Sequence, residues 1–581
     1  MWQILQYPLP PLRKNFVSFA VKKLHSHQQI KLRFQPVSLS VKYSTFQKIL
    51  SMKLLILSCL LILAGTVSAQ NLKSGGHLKP EQANMDIRHY TIALDVDPVQ
   101  KTIAGYTETE LNLINPSSVI LFDLWHGMKV SDVLVNGKKQ SFKLGEDDLL
   151  WINTAETLPA GKVKVKIEYN GTPAVAARPP WTGGFQWDKD SKGNPWIAIT
   201  CQSEGAKIYF PCKDHPSDEP NEGADMIITV PQGLVVAAPG LLQKVTNKNK
   251  KSTYHYKTNY TISNYCLVFN VGKYKVAKRI YTTVDGNKVP MEYYVLEENY
   301  DKADKFLDLF EQSCHIQEKY FGEYPWVKER IAASETPHLG MEHQTNIAYG
   351  NKYRYTKLGD KDFDWLLHHE FGHEWWANKV TNSDWAHMWI QEGICTFGDA
   401  MATRELAGEE AYLKRMQQTA ISTQNKYPVV RGEEVDSDSA YQGDIYGKGA
   451  FFMHTLRYVM GDAMFFPTLK KLATDPQYTY DHTVSTSDVE KLFSGAYGKS
   501  MNPLFHMFLY TTDKLEIDVR QTGDTTYQVK LLNMDIPLPV DIVTDAGKKR
   551  MTLDSKGIKV ISKIFPRIDP DVFYLKKVIY E

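Results

Sequence analysis

Hydrophobic and polar positions alternate along much of the chain between residues 80 and 290, which is the pattern of β-strands with one buried face. The pairs Asn136-Gly137 and Asp285-Gly286 interrupt this alternation. Each predicts a two-residue β-hairpin, because asparagine, aspartate and glycine tolerate the positive φ angles of such turns. We therefore predict an N-terminal antiparallel, β-sandwich-like domain over residues 80–290.

The spacing of the hydrophobic residues changes to that of an α-helix near Asn299. Helical patterns follow in residues 300–310 and 450–460, and strand-like alternation returns after Leu515. These changes predict a multidomain α+β protein. A mainly helical domain (residues 291–514) follows the first β-domain, and a short C-terminal β-domain (residues 515–581) ends the chain.

The segment from His369 to His373, with the sequence His-Glu-Phe-Gly-His, carries the clearest chemical signal. Side chains four positions apart lie on one face of an α-helix, so these two histidines can bind one metal ion. Glu392, on a second predicted helix, adds a third ligand, and Glu370 can reach a water on the metal without being a ligand itself. Three protein ligands and one open position are typical of a catalytic zinc site, whereas a structural site has four ligands.

The alternative interpretation of this segment is a surface helix that carries two histidines. The aromatic-rich sequence of residues 364–377 instead favours a buried helix. Buried histidines and glutamates need polar partners, and one metal ion provides a partner for all of them.

The ligand pattern resembles that of the aminopeptidase N family of gluzincin zinc metallopeptidases, which includes membrane alanyl aminopeptidase and leukotriene A-4 hydrolase. Three further segments are similar to motifs of this family: residues 339–343 (Leu-Gly-Met-Glu-His) to its Gly-x-Met-Glu-Asn signature, residues 446–449 to its Tyr-x-Lys-Gly element, and residues 202–214 to a loop of its N-terminal domain. The similarity extends over roughly residues 85–515. It implies a thermolysin-like catalytic domain and a zinc-dependent aminopeptidase that acts on peptides with a free N-terminus.

The resemblance also implies a role for each residue of the site. One zinc ion per chain is bound by His369, His373 and Glu392, and Glu370 is the general base. Tyr446 stabilises the oxyanion. The residues expected to bind the substrate are Gln202, Gly340, Met341 and Glu342.

Taken one at a time, several of these residues have ordinary structural interpretations. Glu342 can pair with a substrate α-ammonium, or it can be an exposed loop acid. Tyr446 can donate a hydrogen bond to an oxyanion, or it can belong to the core. Asp399, two helical turns after Glu392, is either a partner of a ligating histidine or a solvated helix acid.

The sequence departs from the family pattern at Lys207, Leu339, His343 and Gln391, where relatives usually have arginine, glycine, asparagine and asparagine. None of these positions is an expected zinc ligand, the base or the tyrosine. The departures therefore concern substrate preference. A thermolysin-like endopeptidase, a leukotriene-hydrolase-like epoxide hydrolase and a catalytically inactive binding protein are the alternative functions, and the last is disfavoured because all the key groups are present.

Charge and cysteine content add limits on partners. The first 69 residues carry nine Lys or Arg and no acid, so the rest of the chain has 59 basic and 66 acidic residues and a net charge near −7. No basic surface for nucleic acid is expected. The five cysteines after residue 69 are an odd number, and Cys201 and Cys212 either form a disulfide or remain thiols. The sequence does not indicate an oligomeric state.

The beginning of the chain predicts export. Residues 52–69 have a lysine, an apolar run of about a dozen residues and small residues before a cleavage point after Ala69, as in a secretory signal peptide. This run is too short to span a membrane stably. Residues 1–51 are interpreted as an over-extended leader, and the mature protein is expected in the periplasm or outside the cell. Because only residues 515–581 follow the catalytic domain, we expect no large C-terminal helical domain like that of many relatives.

Overall fold

A computed structural model gives the structure of residues 73–581. The predicted leader and signal peptide lie outside these described residues. Within residues 73–581, no helix combines the length and the apolar character needed to cross a membrane.

The N-terminal part is built from strands in three sheets of eight, four and three strands, with the orders β13-β14-β11-β1-β2-β8-β4-β5, β12-β15-β10-β9 and β3-β7-β6. The strands are β1 (Met85–Asp97), β2 (Thr102–Leu113), β3 (Ser117–Asp123), β4 (Met128–Val135), β5 (Lys138–Lys139), β6 (Ser141–Leu144), β7 (Leu149–Leu158), β8 (Gly161–Gly171), β9 (Gly184–Lys189), β10 (Pro195–Thr200), β11 (Ala224–Pro231), β12 (Val235–Ala237), β13 (Leu241–Lys248), β14 (Lys251–Thr258) and β15 (Asn270–Gly272). Strand β1 shows why the sequence forms this layer. Its alternate residues, from Ile92 to Leu94 to Val96, are buried on one face.

The prediction of a purely antiparallel domain is wrong at one pair of strands. Strands β1 and β11 run parallel, with Tyr90 opposite Ala224 and Asp95 opposite Thr229. More than a hundred residues connect them, which is enough chain to return in the same direction. Hairpin signals report only neighbouring strands, so they could not predict this pairing.

The two predicted hairpins have different outcomes. Between β4 and β5, Asn136 (φ 49°) and Gly137 (φ 77°) form the expected two-residue turn with both φ angles positive. The second predicted hairpin also forms, between the next two strands, β16 (Tyr274–Thr282) and β17 (Lys288–Leu296), but five residues (283–287) and not two connect them. The Thr283 hydroxyl bonds to Glu323 and accepts a hydrogen bond from Asn287 N, which extends the loop.

Strands β16 and β17 belong to a five-stranded sheet with the order β16-β17-β18-β20-β19. The sequence boundary at residue 290 therefore falls inside β17. The other strands of this region are β18 (Ile331–Glu335), β19 (Gly340–Met341), β20 (Ile347–Tyr349), β21 (Thr356–Leu358) and β22 (Lys361–Phe363). Strand β19 is at one edge of the sheet and, within residues 73–581, pairs with no strand other than β20.

Helices form the rest of the central part, as predicted. With a short helix that precedes β1, they are α1 (Pro80–Ala83), α2 (Ala303–Phe321), α3 (Trp365–Gly372), α4 (Trp389–Ser422), α5 (Ser437–Ala440), α6 (Asp444–Met460), α7 (Asp462–Thr474), α8 (Thr486–Tyr497) and α9 (Asn502–Phe505). Short 3-10 segments include Trp385–His387, and a π-helical turn covers His506–Tyr510. Helix α4 is kinked at Gly408, whose φ is 89°. Every residue of α6 is buried, so this helix lies in the core.

The C-terminal part contains two further sheets, with the orders β27-β24-β23-β29 and β26-β25-β28. Their strands are β23 (Leu515–Gly523), β24 (Thr526–Leu531), β25 (Leu538–Thr544), β26 (Gly547–Leu553), β27 (Ile558–Ile561), β28 (Arg567–Ile568) and β29 (Lys576–Tyr580). The described residues thus contain the three predicted parts in order: a β-rich part, a mainly helical part and a small β part.

Candidate active site

Helix α3 presents the histidine pair to the interior of the protein. Its N-terminus is capped by Asp364, whose carboxylate accepts a hydrogen bond from Leu367 N. His369 lies in the last turn, and His373 follows the last helical residue while keeping helical backbone angles. The two side chains therefore retain the four-residue spacing that places them on one face. Both are buried, as the sequence predicted for this segment.

Three ligand-type atoms converge in front of this helix. His369 Nε2 and His373 Nε2 are 3.3 Å apart, and Glu392 Oε2 lies 3.6 Å and 3.5 Å from them. Atoms about 2.0–2.1 Å from a common tetrahedral centre are separated by about 3.3–3.4 Å, so this triangle has the dimensions of three zinc ligands. Glu392 Oε2 is buried and has no hydrogen-bond partner among residues 73–581, as a donor atom reserved for a metal would be.

The other nitrogen of each histidine is held by the protein. His369 Nδ1 is 3.0 Å from Asp399 Oδ2, and His373 Nδ1 is 2.7 Å from the Trp376 carbonyl oxygen. These contacts favour a proton on each Nδ1 and leave each Nε2 with a lone pair for a metal. Asp399 is buried, so it is a partner of His369 and not a solvated helix acid.

Cys395, one helical turn after Glu392, also lies close to the histidine pair. Its Sγ is within 4.8 Å of an imidazole nitrogen of both His369 and His373, and it donates to the His369 carbonyl oxygen at 3.1 Å. All five cysteines in residues 73–581 are free thiols, so Cys201 and Cys212 form no disulfide.

Helices α4 and α6 cross closely at a pair of glycines, and this crossing brings Tyr446 to the site. A Cβ atom added to Gly449 of α6 would lie 2.9 Å from Gly393 Cα of α4, so any larger residue would separate the helices. At this short separation, Tyr446 Oη donates to Glu392 Oε1 at 2.9 Å. Tyr441 Oη lies 2.9 Å from Tyr446 Oη, which makes a pair of phenols beside the candidate metal ligands. Burial raises the pKa of Tyr446 well above its usual value, so its hydroxyl remains a donor.

Glu370 is buried beside strand β19. A Cβ atom added to Gly340 would lie 2.5 Å from Glu370 Oε1, so a larger residue here would displace the Glu370 carboxylate. Burial raises the pKa of Glu370 to about 7, and the neighbouring Glu342 carboxylate acts in the same direction. A carboxyl group with a pKa near neutrality can both accept and release a proton.

Glu342 follows β19 directly and is buried, not exposed. Gln202, on the loop after β10, donates from Nε2 to Glu342 Oε1 at 2.6 Å. The predicted substrate-binding residues from two distant segments therefore meet in one place. Burial raises the pKa of Glu342, and the neighbouring Glu392 carboxylate acts in the same direction.

Two residues that the sequence analysis did not single out also organise this site. Glu374, next to His373, accepts hydrogen bonds from Trp326 Nε1 at 2.7 Å and from Thr345 N at 2.9 Å. It thereby ties the end of the metal-site helix to the chain just after Glu342. The other is Tyr441. In the sequence, Tyr441 could have been identified as a candidate site residue by its position five residues before Tyr446.

The sequence matches two profiles of one peptidase family. Residues 87–266 match the Peptidase M1 N-terminal domain, and residues 298–508 match the Peptidase family M1 domain. Together the two matches cover about two thirds of the chain.

Curated relatives and solved structures agree with these matches. The chain is 25% identical over 422 residues to leucine aminopeptidase 2 of Yarrowia lipolytica and 26% identical over 407 residues to leukotriene A-4 hydrolase of Xenopus laevis. These alignments cover 68% and 66% of this chain but only 60% and 63% of the relatives. A mutant M1 zinc metallopeptidase of Deinococcus radiodurans, bound to a Tyr-Ser-Ala substrate, shares the fold with a TM-score of 0.62 at 21% identity, over 73% of this chain and 94% of that one.

The convergence of three ligand atoms predicts which histidine substitutions remove zinc. His373→Ala should abolish stoichiometric zinc binding, because it removes one corner of the triangle. His368→Ala is the matched control, since His368 is buried on the same helix but contacts Gln317 instead. Elemental analysis after dialysis checks both variants. Zinc retained by His373→Ala, or lost equally from both variants, would contradict the assignment.

The Asp399 contact predicts a change in zinc affinity without loss of the site. Asp399→Ala should weaken zinc binding about 10- to 100-fold, because His369 loses the group that orients its ring. Glu405→Ala, which removes an acid six residues further along the same helix, should leave the affinity unchanged. Competition with a chromogenic chelator measures both, and equal affinities for the two variants would argue against the contact.

Proposed function

The chain belongs to the M1 peptidase family, and we propose on that basis that it is a zinc-dependent aminopeptidase, which hydrolyses the peptide bond after the N-terminal residue of its substrates. The observation that carries this proposal is the buried Glu342 carboxylate beside the three candidate metal ligands. Gln202 Nε2, which belongs to a neutral amide, donates to this carboxylate at 2.6 Å. A substrate α-ammonium group would supply the positive charge that a buried carboxylate needs.

His369, His373 and Glu392 would hold one zinc ion per chain. When bound there, zinc supplies an acidified water and a Lewis acid for the scissile carbonyl group. Asp399 and the Trp376 carbonyl oxygen keep the two imidazoles in the tautomer that this binding needs.

Glu370 is proposed as the general base. Its carboxylate faces Gly340 of the edge strand, and burial brings its pKa to about 7. It can therefore take a proton from the attacking water and deliver it to the nitrogen of the departing amine. The close contact with Gly340 also limits the movement of this side chain during the transfer.

Tyr446 is proposed to stabilise the oxyanion that develops on the carbonyl oxygen. Its phenol is protonated and donates a hydrogen bond of 2.9 Å to Oε1 of Glu392, one of the candidate metal ligands. The Tyr441 hydroxyl, 2.9 Å away, can hold the Tyr446 phenol in place while its hydrogen is shared with the substrate.

Gly340 and Met341 are proposed to bind the substrate backbone. They form the edge strand β19, whose outer side has no partner strand in the described part of the chain. An extended peptide can add to such an edge through main-chain hydrogen bonds. With its α-ammonium at Glu342 and Gln202, the peptide would lie across Glu370 with its first peptide bond near the metal ligands.

This arrangement favours an exopeptidase over the alternatives. A thermolysin-like endopeptidase would need the metal ligands and Glu370 but would have no use for a buried amine-binding carboxylate beside them. One relative is named as a leukotriene A-4 hydrolase, and a leukotriene carries no α-amine that could pair with Glu342. We also propose that the protein is exported, which is supported by the signal-like sequence of residues 52–69.

The proposed base predicts a loss of turnover with no loss of metal. Glu370→Gln keeps the size of the side chain but cannot accept a proton, so kcat should fall by about 10²- to 10⁴-fold. Zinc content, measured on the same preparation, should stay at one ion per chain. Turnover close to that of the wild type would show that another group activates the water.

The proposed amine site predicts a selective loss for substrates with a free N-terminus. Pairing of a buried carboxylate with an ammonium group contributes roughly 1.5–3 kcal/mol, so Glu342→Ala should lower kcat/KM for aminoacyl amides by about 10- to 100-fold. Glu433→Ala, which removes an exposed acid elsewhere in the catalytic domain, is the control.

Acetylation of the substrate amine should impair the wild-type enzyme to a similar degree and have little further effect on Glu342→Ala. Steady-state kinetics on the four combinations of enzyme and substrate give the coupling energy between the Glu342 side chain and the substrate amine. Independent effects of the two changes would remove the support for an amine site at Glu342.

A further inference from the structure

We propose that residues 73–77, which we call the N-terminal strap, are a positioning element that holds two walls of the site together. The amine-binding wall is the loop of residues 202–214, which includes Gln202. The phenol wall is the segment of residues 435–446, which includes Tyr441 and Tyr446. The inference rests on the proposed aminopeptidase function. The strap lies before the first strand, outside every motif of the site, and contacts both walls through its backbone and side chains.

On one side, the strap contacts the loop that carries Gln202. Ser74 N donates to the Ser203 carbonyl oxygen at 3.1 Å, and Ser74 Oγ donates to Asp214 Oδ1 at 2.9 Å. Gly75 N donates to the Asp214 carbonyl oxygen at 3.2 Å. Ser203 is the neighbour of Gln202, so the strap binds the chain directly beside the residue that contacts Glu342.

On the other side, the strap contacts the segment that leads to the phenol pair. Ser437 N donates to the Ser74 carbonyl oxygen at 3.0 Å, and Gly76 N donates to the Val435 carbonyl oxygen at 3.2 Å. Lys73 Nζ adds an ion pair with Asp436 at 3.3 Å. Ser437 begins helix α5, which ends immediately before Tyr441.

The two walls share an acceptor at the strap. The Ser203 carbonyl oxygen receives hydrogen bonds from Ser74 N and from the Ser437 hydroxyl, one from the strap and one from the opposite wall. Ser74 is itself buried. If the strap left this place, buried donors and acceptors on both walls would lose their partners, which costs about as much as the lost hydrogen bonds.

Lys207 gives the strap a second attachment. Its Nζ donates to the Lys73 carbonyl oxygen and lies 3.3 Å from Asp214 Oδ2. The side chain is buried, and Lys207 is one of the positions at which this sequence departs from the family pattern. A lysine here can bond to the strap backbone and to Asp214 at the same time.

Gly75 lets the strap pack closely against a third segment, which contains Trp385. Its φ is +73°, and a Cβ atom added to it would lie 2.4 Å from Trp385 Cδ1. Trp385 begins the 3-10 turn before α4, the helix that carries Glu392. Gly76 also has a positive φ, +85°, but a Cβ atom there would meet only Asp436, at 3.8 Å. An alanine at either position would therefore be held in an unfavourable backbone conformation with positive φ. Only an alanine at position 75 would also collide with the Trp385 side chain.

Gly75→Ala and Gly76→Ala in the full-length chain test the strap as a matched pair. Gly75→Ala should lower kcat/KM for aminoacyl amides at least about tenfold, mainly through KM, whereas Gly76→Ala should stay within about threefold of the wild type. Zinc content should be the same in all three proteins. The preference for free over acetylated substrates should fall in Gly75→Ala, which a general loss of stability would not cause.

Ser74→Ala and Ser74→Thr provide the second test, should Gly75→Ala fail to fold. The alanine variant loses the hydrogen bond to Asp214, and its KM should rise about three- to tenfold, with recovery in the threonine variant. Unchanged KM and unchanged amine preference in Gly75→Ala, or in Ser74→Ala, would overturn the inference while the wild type still cleaves aminoacyl amides. A wild-type protein that does not cleave them would instead overturn the proposed function.

Discussion

The arrangement of the active site depends on one constraint, the burial of two imidazoles and a carboxylate within 3.6 Å of each other. Such a set is costly in a dry interior unless a cation holds it together. Each histidine is fixed on its far side by a protein acceptor, and Glu392 Oε2 has no hydrogen-bond partner in the part of the chain that the structure describes. The polar interior of this part of the protein is therefore consistent with a bound metal ion and would be difficult to explain without one.

The other groups of the site are placed by close backbone approaches. Gly449 on Gly393 lets two buried helices meet, which sets Tyr446 beside Glu392. Gly340 likewise lets the edge strand β19 lie close to the Glu370 carboxylate. At Gly449 a Cβ atom would meet the backbone of the other helix, and at Gly340 it would displace the Glu370 carboxylate. The geometry of the site therefore depends on small residues at these two contacts as well as on the reactive side chains.

Local patterns in the sequence predicted local structure well. The Asn136-Gly137 turn, the start of the helical part and the strands after residue 515 follow from turn chemistry and hydrophobic period. The histidine spacing likewise predicted that two candidate metal ligands lie on one face of a helix and its C-terminal end. The meeting of Gln202 with Glu342, 140 residues apart, came from the family resemblance and not from the pattern of the residues.

Features that depend on distant contacts could not be predicted. The parallel pairing of β1 with β11 depends on how a long connection folds, and the five-residue loop at residues 283–287 depends on a bond from Thr283 to Glu323 of another element. The role of Glu374 appears only once Trp326 and Thr345 are seen around it. Residues 73–77 have no recognisable motif, and their contacts with two walls of the site exist only in the folded chain.

The central claim is that a free α-amine, bound at Glu342, selects the peptide bond to be cut. Mass-spectrometric analysis of a time course, with the purified zinc protein and one unblocked peptide of about ten residues, tests it most directly. The account predicts that single residues are released one after another from the N-terminus, with no internal fragments at early times. Internal fragments that precede any shortening at the N-terminus would contradict it.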